Sequence, residues 1–307
     1  MDNEQHRQER KREERFRRVR CKDAVEESRY VYRSFPRRLG EELKGSRAAM
    51  ASLVTLCVIV AAVLMAPLCP WDPDQIDVMS KLQPPGAGHI FGTDDLGRDY
   101  FSRALHGGRI SLLVGIFSMA ASTVFGTAWG TVSGYMGGAV DAAMMRVVDI
   151  MMSIPSFLLL IILNAFIAPG LFTMVLMISM FSWMNLARIT RAETMTLKQR
   201  DYILAARCLG ESRLQIVFRH IVPNMLPTIV VSASLSIANA ILTESSLSFL
   251  GFGVQMPMSS WGNMLQGAQS HILDRPYLAV FPGALILITV MCFNVLGDFL
   301  RHVAESE

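Results

Sequence analysis

"AARCLGESRLQIVFRHIVPN", residues 205–224, lies between two long apolar stretches and carries Arg207, Arg213, Arg219 and His220. So many basic side chains keep it out of hydrocarbon. Yet it is patterned as helix rather than loop. The overlapping "LKQRDYILAARCLG" (197–210) is built of good helix formers with no internal Gly or Pro. Gly210 is placed to end that helix with a left-handed cap. Ser212-Arg213-Leu214-Gln215 has capping-box spacing and opens a second helix. Leu214, Val217, Phe218 and Ile221 follow at i, i+3, i+4 and i+7, one apolar stripe. Pro223 is expected to stop this helix, because it lacks an N–H and clashes with the preceding turn. Asn224 is then placed to cap the next helix, and Pro227 falls in that helix's first turn. Three arrangements satisfy this pattern. The hairpin lies flat on a membrane, packs only on its own bundle, or docks its amphipathic face in a groove of a soluble partner.

The rest of the chain is apolar enough to make the membrane the natural frame. Of 307 residues 51% are hydrophobic, and the mean hydropathy is +0.35. Residues 1–47 hold 15 of the 29 Lys and Arg and 10 of the 26 Asp and Glu. A charged cytosolic tail (1–47) therefore precedes a membrane domain (48–301) and a short cytosolic tail (302–307). Six stretches are long enough to cross about 30 Å of hydrocarbon as helix: 48–69, 110–134, 143–168, 171–190, 226–250 and 278–299. The first starts too far along the chain to be a cleavable signal. The fold class expected is all-α and polytopic.

Six spans put both termini on one side. The tail segment "RQERKREERFRRVR" (7–20) places that side in the cytosol by the positive-inside rule. The hairpin region, 191–224, falls on the same side by parity. The loops 70–109 and 251–277 fall outside, and the first carries Asp72, Asp74, Asp77, Asp94, Asp95 and Asp99 against four basic residues. The tail's charges either enforce this topology or also bind anionic membrane lipid.

Several polar residues stand out. Glu244 lies inside the fifth span, where a carboxylate belongs to a protein interior or a water-filled cavity. With Asn239 and Ser248 it is a candidate for the wall of a substrate pathway. The alternative is a carboxylate bonded to Ser245 and Ser248 that holds the bundle together. Asn164, Asn239 and Asn294 are suited to interhelical hydrogen bonds. Asp149 is expected to pair with Arg146 on the same helix face, and Pro155 to kink the third span. Asp298 and Arg301 are expected to pair at the end of the last span. Asp94, Asp95, Arg98 and Asp99 in "FGTDDLGRDYFSR" (91–103) are either a lid or docking surface, or structural salt bridges. The five cysteines are scattered and imply neither disulfide nor metal site. The 20 methionines sit among Leu and Ile as packing residues. No clustered nucleophile, base or metal ligands appear, so no catalytic residue and no bound metal is assigned. No G-x-x-x-x-G-K-[ST] loop occurs, so the chain has no ATPase of its own. Nothing suggests a nucleic-acid partner.

Ala205-Ala206, then Gly210, then Pro223 resembles the EAA loop of ABC-importer permeases. Leu204 stands where that pattern has Glu, His220 where it has Ile, and Val222 where it has Leu. "FGTDDLGRDYFSRALHGGRISLLVG" (91–115), "TESSLSFLGFGVQMPMSSWGNML" (243–265) and "FPGALILITVMCFNVLGDFLR" (281–301) are similar to the second permease of dipeptide, oligopeptide and nickel importers. The resemblance implies a type I importer permease. It would pair with a second homologous permease, two cytosolic ABC ATPases that hold ATP and Mg, and an extracytoplasmic binding protein. This chain itself would bind no cofactor. The hairpin would be the coupling helix, with Ala205, Ala206, Gly210, Ser212, Arg213, Leu214, Val217, Phe218, Arg219 and Pro223 as its working residues. Di- or oligopeptides are the expected cargo, with nickel or a metal chelate as the alternative. A secondary transporter that needs no ATPase is the alternative at the level of class.

Overall fold

The computed structural model describes residues 35–167, 170–255 and 257–305. The lipid reading of the basic tail before residue 35, and Cys21, lie outside them. Among the described residues all regular secondary structure is helical, apart from one isolated bridge between Thr93 and Asp99. The helices are α1 (Phe35–Gly45), α2 (Arg47–Leu64), α3 (Tyr100–Met136), α4 (Gly138–Met152), α5 (Ser156–Phe166), α6 (Leu171–Leu197), α7 (Asp201–Cys208), α8 (Arg213–Ile216), α9 (Val222–Asn224), α10 (Leu226–Phe249), α11 (Trp261–Ala268) and α12 (Tyr277–Glu305). Five of these, α2, α3, α6, α10 and α12, are long and apolar enough to cross a membrane.

The expected third span is a broken element. α4 and α5 meet at a bend of 77°, so they form either a broken span or a re-entrant loop. Pro155 is the cause: it has no N–H to continue α4 and forces Ile154 out of helical geometry. Ser153 finishes the break by donating its hydroxyl to Ile150 O at 2.7 Å. The second span starts ten residues earlier than expected, at Tyr100, because the Asp99 carboxylate caps it by accepting from Ser102 N–H at 2.7 Å. α12 likewise runs through the predicted tail to Glu305, and α6 runs past residue 190 to Leu197.

The most extensive helix contact, α3 on α6, rests on Gly126, Gly130 and Gly134, one residue per turn. A Cβ on Gly130 would stand 2.1 Å from Thr190 Oγ1 and 2.2 Å from Ala187 O. One on Gly126 would stand 2.7 Å from Trp183 O, and one on Gly134 2.6 Å from Arg191 O. Only hydrogen at these positions lets the two backbones approach, the usual way helices associate where lipid removes the hydrophobic drive. The sequence reading missed this file, although "GTAWGTVSG" (126–134) displays it.

α10 packs against both α3 and α12. One core cluster, near the loop 65–99, joins Val63, Tyr100, Leu112, Ile241, Trp261 and Leu278. Its polar atoms are satisfied inside: Tyr100 Oη donates to Leu278 O at 2.6 Å, and Trp261 Nε1 to Ala104 O at 2.9 Å. Arg109 closes the C-terminus of α2 by donating to Val63 O and Leu64 O at 2.9 and 2.8 Å. A second cluster, at the opposite end, joins Leu197, Ile203, Ile216, Ile221, Met225 and Ile229 and anchors the hairpin.

Candidate functional site

The hairpin is rigid for reasons already visible in its residues. Gly210 adopts φ +84°, the left-handed cap. Its N–H bonds Arg207 O at 3.0 Å, and the next N–H, of Glu211, reaches Ala206 O at 3.2 Å. The capping box forms in full: Gln215 N–H donates to Ser212 Oγ at 3.3 Å and Ser212 N–H to Gln215 Oε1 at 2.9 Å. His220 Nε2 lies 2.9 Å from Glu211 Oε2 and ties the second element back to the turn. Lys198 donates to Tyr135 O at 2.6 Å, and Arg207 stands 5.3 Å from the centre of the Tyr135 ring. These contacts fix the hairpin to the end of α3.

Two expectations about the second element are corrected. Pro223 does not stop it. α8 passes into a π-helical turn, Val217–Ile221, then into α9 and, across a turn at Met225, into α10. The widened turn, with Val222 N–H bonded to Val217 O, gives the Pro223 ring room it would lack in an α-helix. Asn224 does not cap α10. Its Nδ2 donates back to His220 O at 2.5 Å, and Met225 precedes α10 without a side-chain cap. The π turn also changes the phase of the apolar stripe. Ile221 is fully buried, with Ile216 beside it. Leu214 and Phe218 point away, 70% and 71% exposed, and Leu209 at the turn is 84% exposed. Of the expected coupling residues, Ala206 is buried and Val217 half-buried. Ala205, Gly210, Ser212, Arg213, Leu214, Phe218, Arg219 and Pro223 are exposed. Leu204, where the resembling pattern has Glu, is exposed and apolar.

Glu244 faces no open passage. It is wholly buried and accepts from Ser111 at 2.9 Å, Ser248 at 2.7 Å and Ser245 at 3.3 Å. Ser248 lies 3.5 Å from Ser260, the N-cap of α11, and Ser111 accepts the Trp261 N–H at 3.3 Å. One carboxylate thus gathers hydroxyls from α3 and α10 and reaches α11 through them. Ser248 belongs to this knot and not to a pathway wall. Asn239 is separate: it is exposed on the surface of α10. The expected interhelical amides do not form, since Asn294 is also exposed and Asn164 donates to its own helix at Leu160 O, 3.2 Å away.

The loop before α3 is built from buried ion pairs. Asp94 accepts from Arg98 Nε at 2.7 Å and lies 3.6 Å from Arg103 Nε. It also accepts the backbone N–H groups of Leu96 and Arg98, each at 2.9 Å. Asp99 caps α3 and lies 2.8 Å from His89 Nδ1. Three of the four residues expected there, Asp94, Arg98 and Asp99, are buried and hold the loop, while Asp95 faces out. Asp94, Asp95 and Arg98 also line a cavity of about 430 Å³ together with Gln255, Gln266 and His271. Outside it, the Ser80 hydroxyl and then the Met79 amide hold the exposed Asp77 carboxyl below its usual range.

At the hairpin end the ion pairs differ from expectation. Asp149 pairs with Arg188 of α6 at 2.5 Å instead of Arg146, which ties α4 to α6. Asp141 accepts from Arg191 Nε and Nη2 at 2.5 and 2.6 Å and from Ser133 at 2.5 Å. Arg301 pairs with Glu305 at 2.9 Å, one turn on, and not with Asp298.

Comparison with known proteins settles the family. Residues 126–306 match the model of the binding-protein-dependent transport system inner membrane component, and residues 35–85 match the N-terminal transmembrane domain of oligopeptide transport permease C. The chain belongs to the binding-protein-dependent ABC importer permeases. It is therefore a multi-pass inner-membrane permease subunit, which displaces the secondary-transporter alternative. An oligopeptide transport system permease protein of Escherichia coli (strain K12) is 43% identical over 265 residues, 85% of this chain and 88% of the relative. Its counterpart in Bacillus subtilis is 38% identical, covering 86% and 87%. A probable D,D-dipeptide transport system permease protein of E. coli is 40% identical, covering 86% and 89%. Among solved structures the fold is similar to a chain of the MetNI methionine ABC transporter, determined in inward-facing conformations. The TM-score is 0.54 at 20% identity, over 66% of this chain and 96% of that one. That likeness bears on the fold alone and agrees with the type I importer architecture expected from the sequence.

Proposed function

We propose that this permease carries di- or oligopeptides inward across the membrane, with a second homologous permease completing the passage. Cytosolic ATPases supply the energy from ATP and Mg, and an extracytoplasmic binding protein delivers cargo at the end formed by residues 65–99 and 250–276. Both termini and the hairpin lie in the cytosol. The peptide permeases among the relatives favour peptide over a nickel or chelate cargo.

The observation that carries this reading is the hairpin itself. Leu209, Leu214 and Phe218 stand 84%, 70% and 71% exposed on an element whose other face is locked into the bundle core. Apolar side chains so exposed on so rigid a support fit a protein groove. Arg207, Arg213 and Arg219 around them keep the element at the aqueous surface. A groove on each ATPase would grip these side chains, and closure of the ATPase pair would move the hairpin. The capping box, the Gly210 turn and the Glu211–His220 tie make it a stiff lever. The π turn passes its motion into α10. Purification of the tagged chain in mild detergent, with mass spectrometry of what accompanies it, tests the reading. Two ATPases and a homologous permease are expected. A lone chain or a homodimer, in detergents that preserve the related E. coli complexes, would overturn it.

A further inference from the structure

Five uncharged polar side chains stand near mid-span at the surface of the bundle. Ser156 of α5, Ser182 of α6 and Thr243 of α10 line one small cavity of about 80 Å³. α6 and α10 run in opposite directions, because the end of one and the start of the other share the cluster around Ile203. Moving from the cavity toward the hairpin therefore meets Asn239, a turn before Thr243, and Asn185, a turn after Ser182. Both asparagines are exposed, and neither carboxamide makes a hydrogen bond among the described residues. Beyond Asn185 the first charges are Arg188 and Asp149, which neutralise each other at 2.5 Å.

Hydrocarbon offers nothing to a carboxamide's two donors and its acceptor. A face with two such groups at mid-span therefore meets water, cargo or another chain. The Ser182 and Thr243 hydroxyls donate to Ile178 O and Asn239 O, each at 2.8 Å, which leaves their lone pairs as acceptors. The face thus offers hydroxyl acceptors and carboxamide donors and carries no charge. Those groups complement the N–H and C=O of a peptide main chain and are indifferent to the charge of its side chains. Glu244, the one carboxylate of α10, is sealed on the other side of the helix.

We infer that Ser156, Ser182, Asn185, Asn239 and Thr243 are this subunit's share of the passage, and that they pass peptides by main-chain hydrogen bonds without selecting for side-chain charge. This rests on the peptide-importer reading and deepens it. The test is cysteine accessibility in membrane vesicles holding the complete transporter. Asn239→Cys and Asn185→Cys are compared with Val124→Cys, a position 73% exposed on α3. Labelling by a charged, water-soluble thiol reagent is read by mass spectrometry over the native cysteines. The asparagine positions should react at least about tenfold faster than Val124→Cys, since only a water-exposed thiol ionises readily. Added peptide should slow them. Asn239→Asp should then slow uptake of an acidic tripeptide against a basic one by about tenfold relative to wild type. No labelling at either position, with peptide uptake intact, overturns the inference alone and assigns the asparagines to a contact with the second permease. Unchanged charge preference in Asn239→Asp also overturns it. A wild-type complex that moves no peptide overturns the importer reading itself.

Discussion

The loop before α3 and the exposed face of the hairpin handle charge in opposite ways. At the end formed by residues 65–99 and 250–276, buried Asp94 closes on Arg98 and Arg103, and buried Asp99 on His89. At the hairpin end, Arg207, Arg213 and Arg219 make no ion pair among the described residues, and Leu209, Leu214 and Phe218 stand bare beside them. Charges that close on each other inside a loop stiffen it and leave little for a partner. Apolar groups held out on a stiff turn do the reverse. A motif rich in charge is thus the scaffold here, and the modest amphipathic hairpin is the surface left bare.

The largest effect expected in breaking this comparison lies in the scaffold both ends share. Gly130→Leu should abolish folded protein, because even a Cβ would meet α6 atoms at 2.1 and 2.2 Å. Detergent-stable monodisperse protein from that variant would refute the close α3–α6 approach. Glu244→Ala comes next. It strands the hydroxyls of Ser111, Ser245 and Ser248 and should lower thermal stability by roughly 1–3 kcal/mol. Glu244→Gln keeps one acceptor oxygen and should cost less. A Gln variant of full stability but altered uptake would return Glu244 to the passage. At the hairpin, Gly210→Pro places a ring fixed near φ −65° where the chain needs +84°. It should abolish substrate-stimulated ATP hydrolysis while the protein still reaches the membrane. Phe218→Asp should do the same with no loss of thermal stability, since the side chain is 71% exposed; normal coupling in both variants would strip the hairpin of its role. The smallest effect belongs to Asp95→Ala, within about 0.5 kcal/mol in stability. Arg98→Ala, which breaks a buried pair, should exceed it clearly in the same melt.

Much of the hairpin was legible in advance because its signals are local. A left-handed glycine, a Ser-x-x-Gln box and a run of strong helix formers act over a few residues, and 201–216 folds as those residues demand. The expected single helix over 197–210 is instead broken at Lys198–Arg200, where α6 ends and Arg200 turns extended before α7. The same local rules misjudged Pro223, since they allow it only to end an α-helix. Tertiary burial of Ile221 and Met225 keeps the chain helical through it by widening one turn. Glu244 shows the other limit: an acid in a span implies a protein interior, but nothing in its neighbours tells knot from passage.

The sequence by itself determined the membrane class, the spans of α2, α3, α6, α10 and α12, the rigid turn at Gly210 and the permease family. Hydropathy, capping and motif spacing are written along the chain. Only the tertiary structure decided that α3 and α6 meet through glycine and that Asp149 pairs with Arg188 and not Arg146. It also decided which apolar residues of the hairpin remain uncovered. Each of these depends on which distant backbone arrives within a few ångströms, and no local propensity carries that distance.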